Sequence, residues 1–149
     1  MADYLLDTNY LLYLADPDAD KTKKAEVLTD FAHKLEDENS YFALTSLIRY
    51  EVLRGVKWKD ENKLAQLENV LKQFKSFDIT DEIADLARDL YRFDEYASKR
   101  DNVPKNLEKR KFDMFHYATA KVENLEVLSK DGDLSHIEEL RQRMTSENN

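Results

Sequence analysis

Asp7, Glu51, Asp113 and Asp131 are the residues of this chain whose surroundings set them up for chemistry. Asp7 ends the apolar run Tyr4-Leu5-Leu6 and is followed by a hydroxyl and an amide, Thr8 and Asn9. Glu51 interrupts an apolar helix face one turn after Thr45-Ser46. Asp113 stands before Met114 to Ala120, which are largely apolar. Asp131 follows Glu126-Val127-Leu128 within Ser129-Lys130-Asp131-Gly132-Asp133-Leu134. Carboxylates crowded together repel one another, and burial raises the cost of ionising each. The sequence offers no separate buried Arg or Lys for each of them. A hard divalent cation, Mg²⁺ or Mn²⁺, resolves the conflict because such ions take carboxylate and water oxygens. An ion of this kind lowers the pKa of a bound water and steadies charge on a phosphodiester, so metal-assisted phosphodiester hydrolysis is the chemistry expected.

The elements must bring these acids to one rim. Tyr4 to Leu6 reads as a buried strand of a parallel sheet, with Asp7 at its carboxyl end, where open α/β sheets place their ligands. A short helix over 10–14 ends before Pro17, because proline disfavours helix in the residue preceding it. Residues 18–38 read as a helix, with Ala25, Leu28, Phe31, Ala32 and Leu35 at spacings of three and four. A strand over 41–44 leads to a helix capped by Thr45 and Ser46 and closed near Gly55. The pattern then predicts a helix over 61–74, a strand over 77–79, and a long helix from Thr80 to about Lys99. A loop over 101–108, a helix over 112–122, a strand over 126–128, a polar turn around Gly132 and a last helix over 137–143 complete the chain. Strands alternating with helices predict a mainly parallel sheet in a small three-layer α/β/α sandwich. One domain is expected over 1–144, with a frayed tail over 145–149.

Composition narrows the function classes. The 149 residues suit one domain with a real core. Against 31 acidic residues stand 23 basic ones, for a net charge of -8, which argues against a broad basic face for duplex binding. A local basic strip beside an acidic cleft stays compatible with that balance. With no cysteine, disulfides and thiolate ligands are excluded, so any metal is held by oxygen or imidazole. No signal peptide is visible and no apolar run approaches the roughly 20 residues that span a bilayer, so the cytoplasm is the expected location. Gly and Pro number 2 each, which favours helices joined by short loops.

Each acid also has a plainer reading. Asp7 can be a helix N-cap, Glu51 a solvated helix residue, and Asp113 a partner for the positive end of its helix. Asp131 and Asp133 can be turn residues around Gly132. His116 reads as a packed or supporting histidine rather than a ligand. Tyr10, Tyr13 and Tyr50 can stack on bases, though packing is favoured. Arg49 and Arg54 flank Glu51, and Lys109, Arg110 and Lys111 precede Asp113. These cations are placed to meet a nucleic-acid backbone, or, around Glu51, the tail of a partner protein.

The ordered set Leu5-Leu6-Asp7-Thr8-Asn9, Thr45-Ser46 with Glu51-Val52-Leu53-Arg54-Gly55, Asp113 to Ala120, and Leu128 to Leu134 resembles a PIN domain. It is most similar to the VapC-type toxins of prokaryotic toxin–antitoxin pairs. The likeness implies a PIN-like fold and a Mg²⁺- or Mn²⁺-dependent endoribonuclease. Asp7, Glu51, Asp113 and Asp131 match the family's metal-binding acids, and Asp133 a further acid present in some members. Asn9 and Ser129 match supporting polar positions. A small antitoxin, a homodimer, and transfer or ribosomal RNA as substrate are further implications. The short segment Lys130 to Leu134 departs from the common toxin form, which leaves open whether Asp131 or Asp133 touches metal. The alternatives are a non-catalytic PIN-like module that binds RNA or protein, and a DNA flap nuclease, whose long insertions this chain lacks.

Overall fold

The computed structural model describes residues 2–130 and 133–147. The chain forms two compact units, one of residues 1–78 and 125–130, the other of residues 79–124 and 131–149. The first unit holds the sheet. Strands β1 (Tyr4–Leu6), β2 (Phe42–Thr45), β3 (Lys75–Phe77) and β4 (Glu126–Leu128) are all parallel, in the order β3-β2-β1-β4. Leu5 lies opposite both Ala43 and Val127. Leu5 and Leu6 are fully buried and so is the whole of β2, as expected for strands covered on both faces. The edge strand β3 departs from the predicted 77–79. Lys75 and Ser76 point into water, so no apolar signal marks them, yet they pair with Ala43 and Leu44.

Helices α1 (Thr8–Ala15), α2 (Lys21–Lys34), α3 (Ser46–Leu53) and α4 (Glu61–Leu71) belong to the same unit. The start of α2 lies later than predicted because Asp20, not Asp18, caps it, accepting from the Lys23 N–H at 2.9 Å. The Thr45 hydroxyl caps α3 as expected, accepting from the Ile48 N–H at 3.1 Å. Helix α4 stops short of the predicted Phe74, since the Gln73 and Phe74 N–H groups bond back to Val70 and Leu71 in tight turns.

Helix α1 packs on α2, and a polar tie joins them. The Tyr10 hydroxyl donates to Asp30 Oδ2 at 2.7 Å, and Lys34 Nζ donates to Asp30 Oδ1 at 2.5 Å. Burial pushes the Asp30 carboxyl up, but the hydrogen bonds from Lys34 and Tyr10 outweigh it and hold the pKa below the ordinary value. A depressed acid stabilises the fold above its unfolded pKa, and that contribution is lost as pH falls through the folded value. Asp30→Asn should therefore flatten the acid limb of a plot of urea midpoint against pH. A limb as steep as that of the wild type would show that the tie does not report on folding.

The second unit is a set of mutually packed helices, α5 (Asp81–Arg100), α6 (Leu107–Val122) and α7 (Asp133–Glu147). Thr80 caps α5, which buries Ile83, Ala87, Leu90 and Ala97. Asp94 falls on this same stripe and is 0% exposed. Lys105 Nζ and Arg110 Nη1 each reach it at 2.8 Å. Helix α6 begins earlier than the predicted Phe112 because Asn106 caps it, accepting from the Lys109 N–H at 3.2 Å. Helix α7 runs to Glu147, past the point where fraying was expected. The Arg100 guanidinium forks onto the Glu147 carboxylate, and Arg143 reaches Asp101 at 3.0 Å. Among the described residues no helix is long and apolar enough to cross a membrane.

Candidate functional site

In the sheet-bearing unit the site is built around Asp7. The register that places Leu6 opposite Leu128 brings the ends of β1 and β4 side by side. The Asp7 N–H then bonds the Leu128 carbonyl at 3.0 Å, and Ser129 Oγ donates to Asp7 Oδ2 at 3.0 Å. Ser129, expected to support the acids, thus touches one of them. Asp7 also occupies the N-cap position of α1, but its side chain makes no capping hydrogen bond. The N-cap reading therefore fails for the carboxylate, although the backbone obeys it. The residue is 3% exposed. Beside it the Thr8 hydroxyl oxygen is buried and meets no hydrogen-bond partner among the described residues. Asn9 follows, half-buried, in the first turn of α1.

Glu51 lies in the second turn of α3, half-buried, next to the fully buried Val52 and one turn from Ile48. The solvated-acid reading is thereby weakened. Arg49 Nη2 lies 4.0 Å from Glu68 Oε2 of α4. The Arg54 guanidinium stacks over the Tyr50 ring at 5.4 Å. Tyr50 is 55% exposed, so of the packing expected for it, in the core or at an interface, the core is ruled out. The residue falls on the water side of α3, a phase that sequence alone left open.

In the helical unit Asp113 sits in the second turn of α6, not at its start, because α6 begins at Leu107. The helix dipole acts mainly within the first turn, so it gives Asp113 little. His116, one turn on, is 1% exposed. Its ring nitrogen and the Asp113 carboxylate lie within 4.8 Å of each other. Sequence reasoning read this histidine as packed or supporting rather than as a ligand. The signal was present as Asp-x-x-His, a spacing that puts both side chains on one helix face. Asp131 lies outside the described residues, and so does the side chain of Asp133.

The basic run before Asp113 divides by role. Arg110 was read as an RNA contact, but its guanidinium is held on the buried Asp94. Lys111 pairs with Glu108 at 2.7 Å. Lys109 is exposed and offers its backbone N–H to the helix cap. Chemically, the donors are mostly hard carboxylates, Asp7, half-buried Glu51 and Asp113 on α6, with the borderline imidazole of His116 beside Asp113. Oxygen and imidazole donors suit Mn²⁺, and the carboxylates suit Mg²⁺. An orphaned hydroxyl beside Asp7 agrees with an oxygen-lined ion or water site in that unit.

A family model described as PIN domain matches residues 4–140. No curated protein sequence matches the chain. Among solved structures, FitAcB from Neisseria gonorrhoeae shares 20% identity over 91% of this chain and 93% of that one, with a TM-score of 0.62. VapBC2 from Rickettsia felis, bound to a DNA fragment from its promoter, shares 18% identity over 87% and 88%, also with a TM-score of 0.62. A toxin–antitoxin complex from Klebsiella pneumoniae shares 21% identity over 87% of each chain, with a TM-score of 0.53. At these identities the likeness to the solved structures is one of fold.

Proposed function

This chain belongs to the PIN domain family, and from that premise we propose that it is a metal-dependent endoribonuclease, the VapC-like toxin of a toxin–antitoxin pair. One observation carries the reading. Asp7 is a buried carboxylate that stands at a helix N-cap and caps nothing, turned instead toward Ser129 at the ends of β1 and β4. A divalent cation suits a buried carboxylate at the carboxyl end of a parallel strand, where open α/β sheets place their ligands.

In the proposal Asp7, Glu51, Asp113 and Asp131 hold Mg²⁺ or Mn²⁺, with Asp133 as a further candidate. Such an ion, when bound, supplies an acidified water and neutralises charge at the phosphate. The chain's own residues do the rest. Ser129 holds the Asp7 carboxylate in one orientation through its 3.0 Å hydrogen bond. Asn9 supports the same region, and His116 either orients Asp113 or joins it as a donor. Arg49, Arg54, Lys109 and Lys111 meet phosphates. Water attack displaces one ester oxygen without using the ribose 2′-hydroxyl, so products carry no cyclic phosphate. We place the activity in one domain, residues 1–144, working in the cytoplasm on transfer or ribosomal RNA.

The Klebsiella neighbour is a toxin–antitoxin complex, and we extend such a partner to this chain, together with a homodimer. Leu28 and Leu35, 43% and 52% exposed on or just after α2, supply apolar surface for these contacts. Expression in growing cells tests the reading. Growth arrest with discrete new RNA ends is expected for wild type and absent for Asp113→Asn. Equal arrest by the variant would remove Asp113 from the proposal. Tight RNA binding with no cutting would favour the non-catalytic module instead.

A further inference from the structure

Trp58 is the only tryptophan in the chain and is 95% exposed. Tryptophan has more apolar area to hide than any other side chain, so leaving it in water calls for an explanation. Its position does not come from its own packing. The Asp60 N–H closes the turn onto the Lys57 carbonyl at 3.0 Å, and Asp60 Oδ1 caps α4, accepting from the Lys63 N–H at 3.1 Å. The turn between α3 and α4 therefore presents the indole while other groups hold the backbone.

The helix before this turn presents a second aromatic. Tyr50 is 55% exposed, carries the Arg54 guanidinium 5.4 Å from its ring, and lines a groove of about 380 Å³ with Ser46, Arg49, Leu53 and Arg54. From Ser46 to Lys59 the cations Arg49, Arg54, Lys57 and Lys59 meet one acid, Glu51, in a chain whose net charge is -8. Flat π faces interleaved with cations suit bases and phosphates. Leu53 and Val56 on this strip are half-buried, while its four cations against one acid, in a chain that is acidic as a whole, favour a phosphate backbone as the occupant.

We infer that Tyr50 and Trp58, with Arg49, Arg54, Lys57 and Lys59, form a platform that stacks unpaired bases of RNA and sets where the strand lies relative to Glu51. This inference rests on the nuclease reading and adds the substrate form and two specificity residues to it. Duplex RNA hides its base faces, so the platform selects single-stranded segments.

The lone tryptophan makes the test direct. Trp58 emission is followed while an unstructured RNA of about ten nucleotides, within the usual site size of such platforms, is added in chelator. Saturable quenching is expected, and much weaker quenching by the same sequence as a duplex. With a labelled oligonucleotide, Trp58→Ala and Tyr50→Ala should each bind about 5- to 150-fold more weakly. Their salt dependence should match wild type, because no phosphate contact is removed. Arg54→Gln should lower the slope of log affinity against log salt by about 0.7. Trp58 is almost wholly in water, so its replacement leaves the fold intact. Unchanged Trp58 emission at saturating RNA, or wild-type affinity in Trp58→Ala, overturns the inference. Quenching by an antitoxin peptide but not by RNA overturns it too. Cleavage with Mn²⁺ is scored on the same proteins. Cutting without a Trp58 response ends the platform and spares the nuclease, whereas a Trp58 response without cutting does the reverse.

Discussion

Asp7→Asn should slow RNA cleavage about 10²–10³-fold, or about 2–4 kcal/mol in barrier, the usual loss for one preorganised electrostatic contact. The substitution keeps the size of the side chain and a carbonyl oxygen that can still accept from Ser129. It removes the charge that holds a cation. Asp7 makes no capping hydrogen bond, so α1 loses no cap and the fold is not weakened by that route. Taking a buried charge away even removes a desolvation cost. The urea midpoint should therefore stay level or rise while turnover falls, a split that a merely structural acid would not give. Asp113→Asn should cost a similar factor, and under the proposal that both acids hold one ion the double variant should cost less than the product. Cleavage by Asp7→Asn within a factor of about two of wild type would remove the acid from the mechanism.

Asp94→Ala should destabilise the protein by about 3 kcal/mol, the low end of the cost of breaking a buried ion pair. The acid is 0% exposed on α5 and accepts from both Lys105 and Arg110 at 2.8 Å. The low end is expected because both cations keep a path to water, with side chains 28% and 22% exposed. They lose a partner without being stranded. Lys105→Met and Arg110→Met should each cost less, since the remaining cation still neutralises the acid. The ion triad joins α5 to the segment that opens α6, the helix of Asp113 and His116. Cleavage should thus fall together with stability in Asp94→Ala, unlike the split expected for Asp7. A loss below about 1 kcal/mol in urea unfolding would show that the triad merely breaks even, the balance some buried pairs reach.

Local signals were legible wherever one segment carried them. The apolar run ending at Asp7 marked β1 and its rim, and Thr45 and Thr80 marked the starts of α3 and α5. The matching expectation of a parallel sheet holds for all four strands. What stayed hidden depends on residues far apart. Asp94 was not singled out, because its partners lie 11 and 16 positions away. Arg110 was read as an RNA contact for the same reason. The start of α6 was missed because Asn106 was taken as a loop residue rather than a cap, which in turn misplaced Asp113 at the helix start. His116 was read as packed or supporting because an apolar helix face looks alike whether its polar member packs or coordinates. Exposure of Tyr50 and Trp58 has no signature in composition, since aromatics are by default assigned to the interior.

The central claim is that this chain cuts RNA by means of its own acids and a divalent ion. The most direct measurement is end-mapping of purified RNA after incubation with wild type or Asp7→Asn, each with Mn²⁺ and with chelator. The account predicts discrete new ends without cyclic phosphate for wild type with Mn²⁺, and none in the other arms. The same ends in chelator, or from Asp7→Asn at wild-type yield, would contradict it.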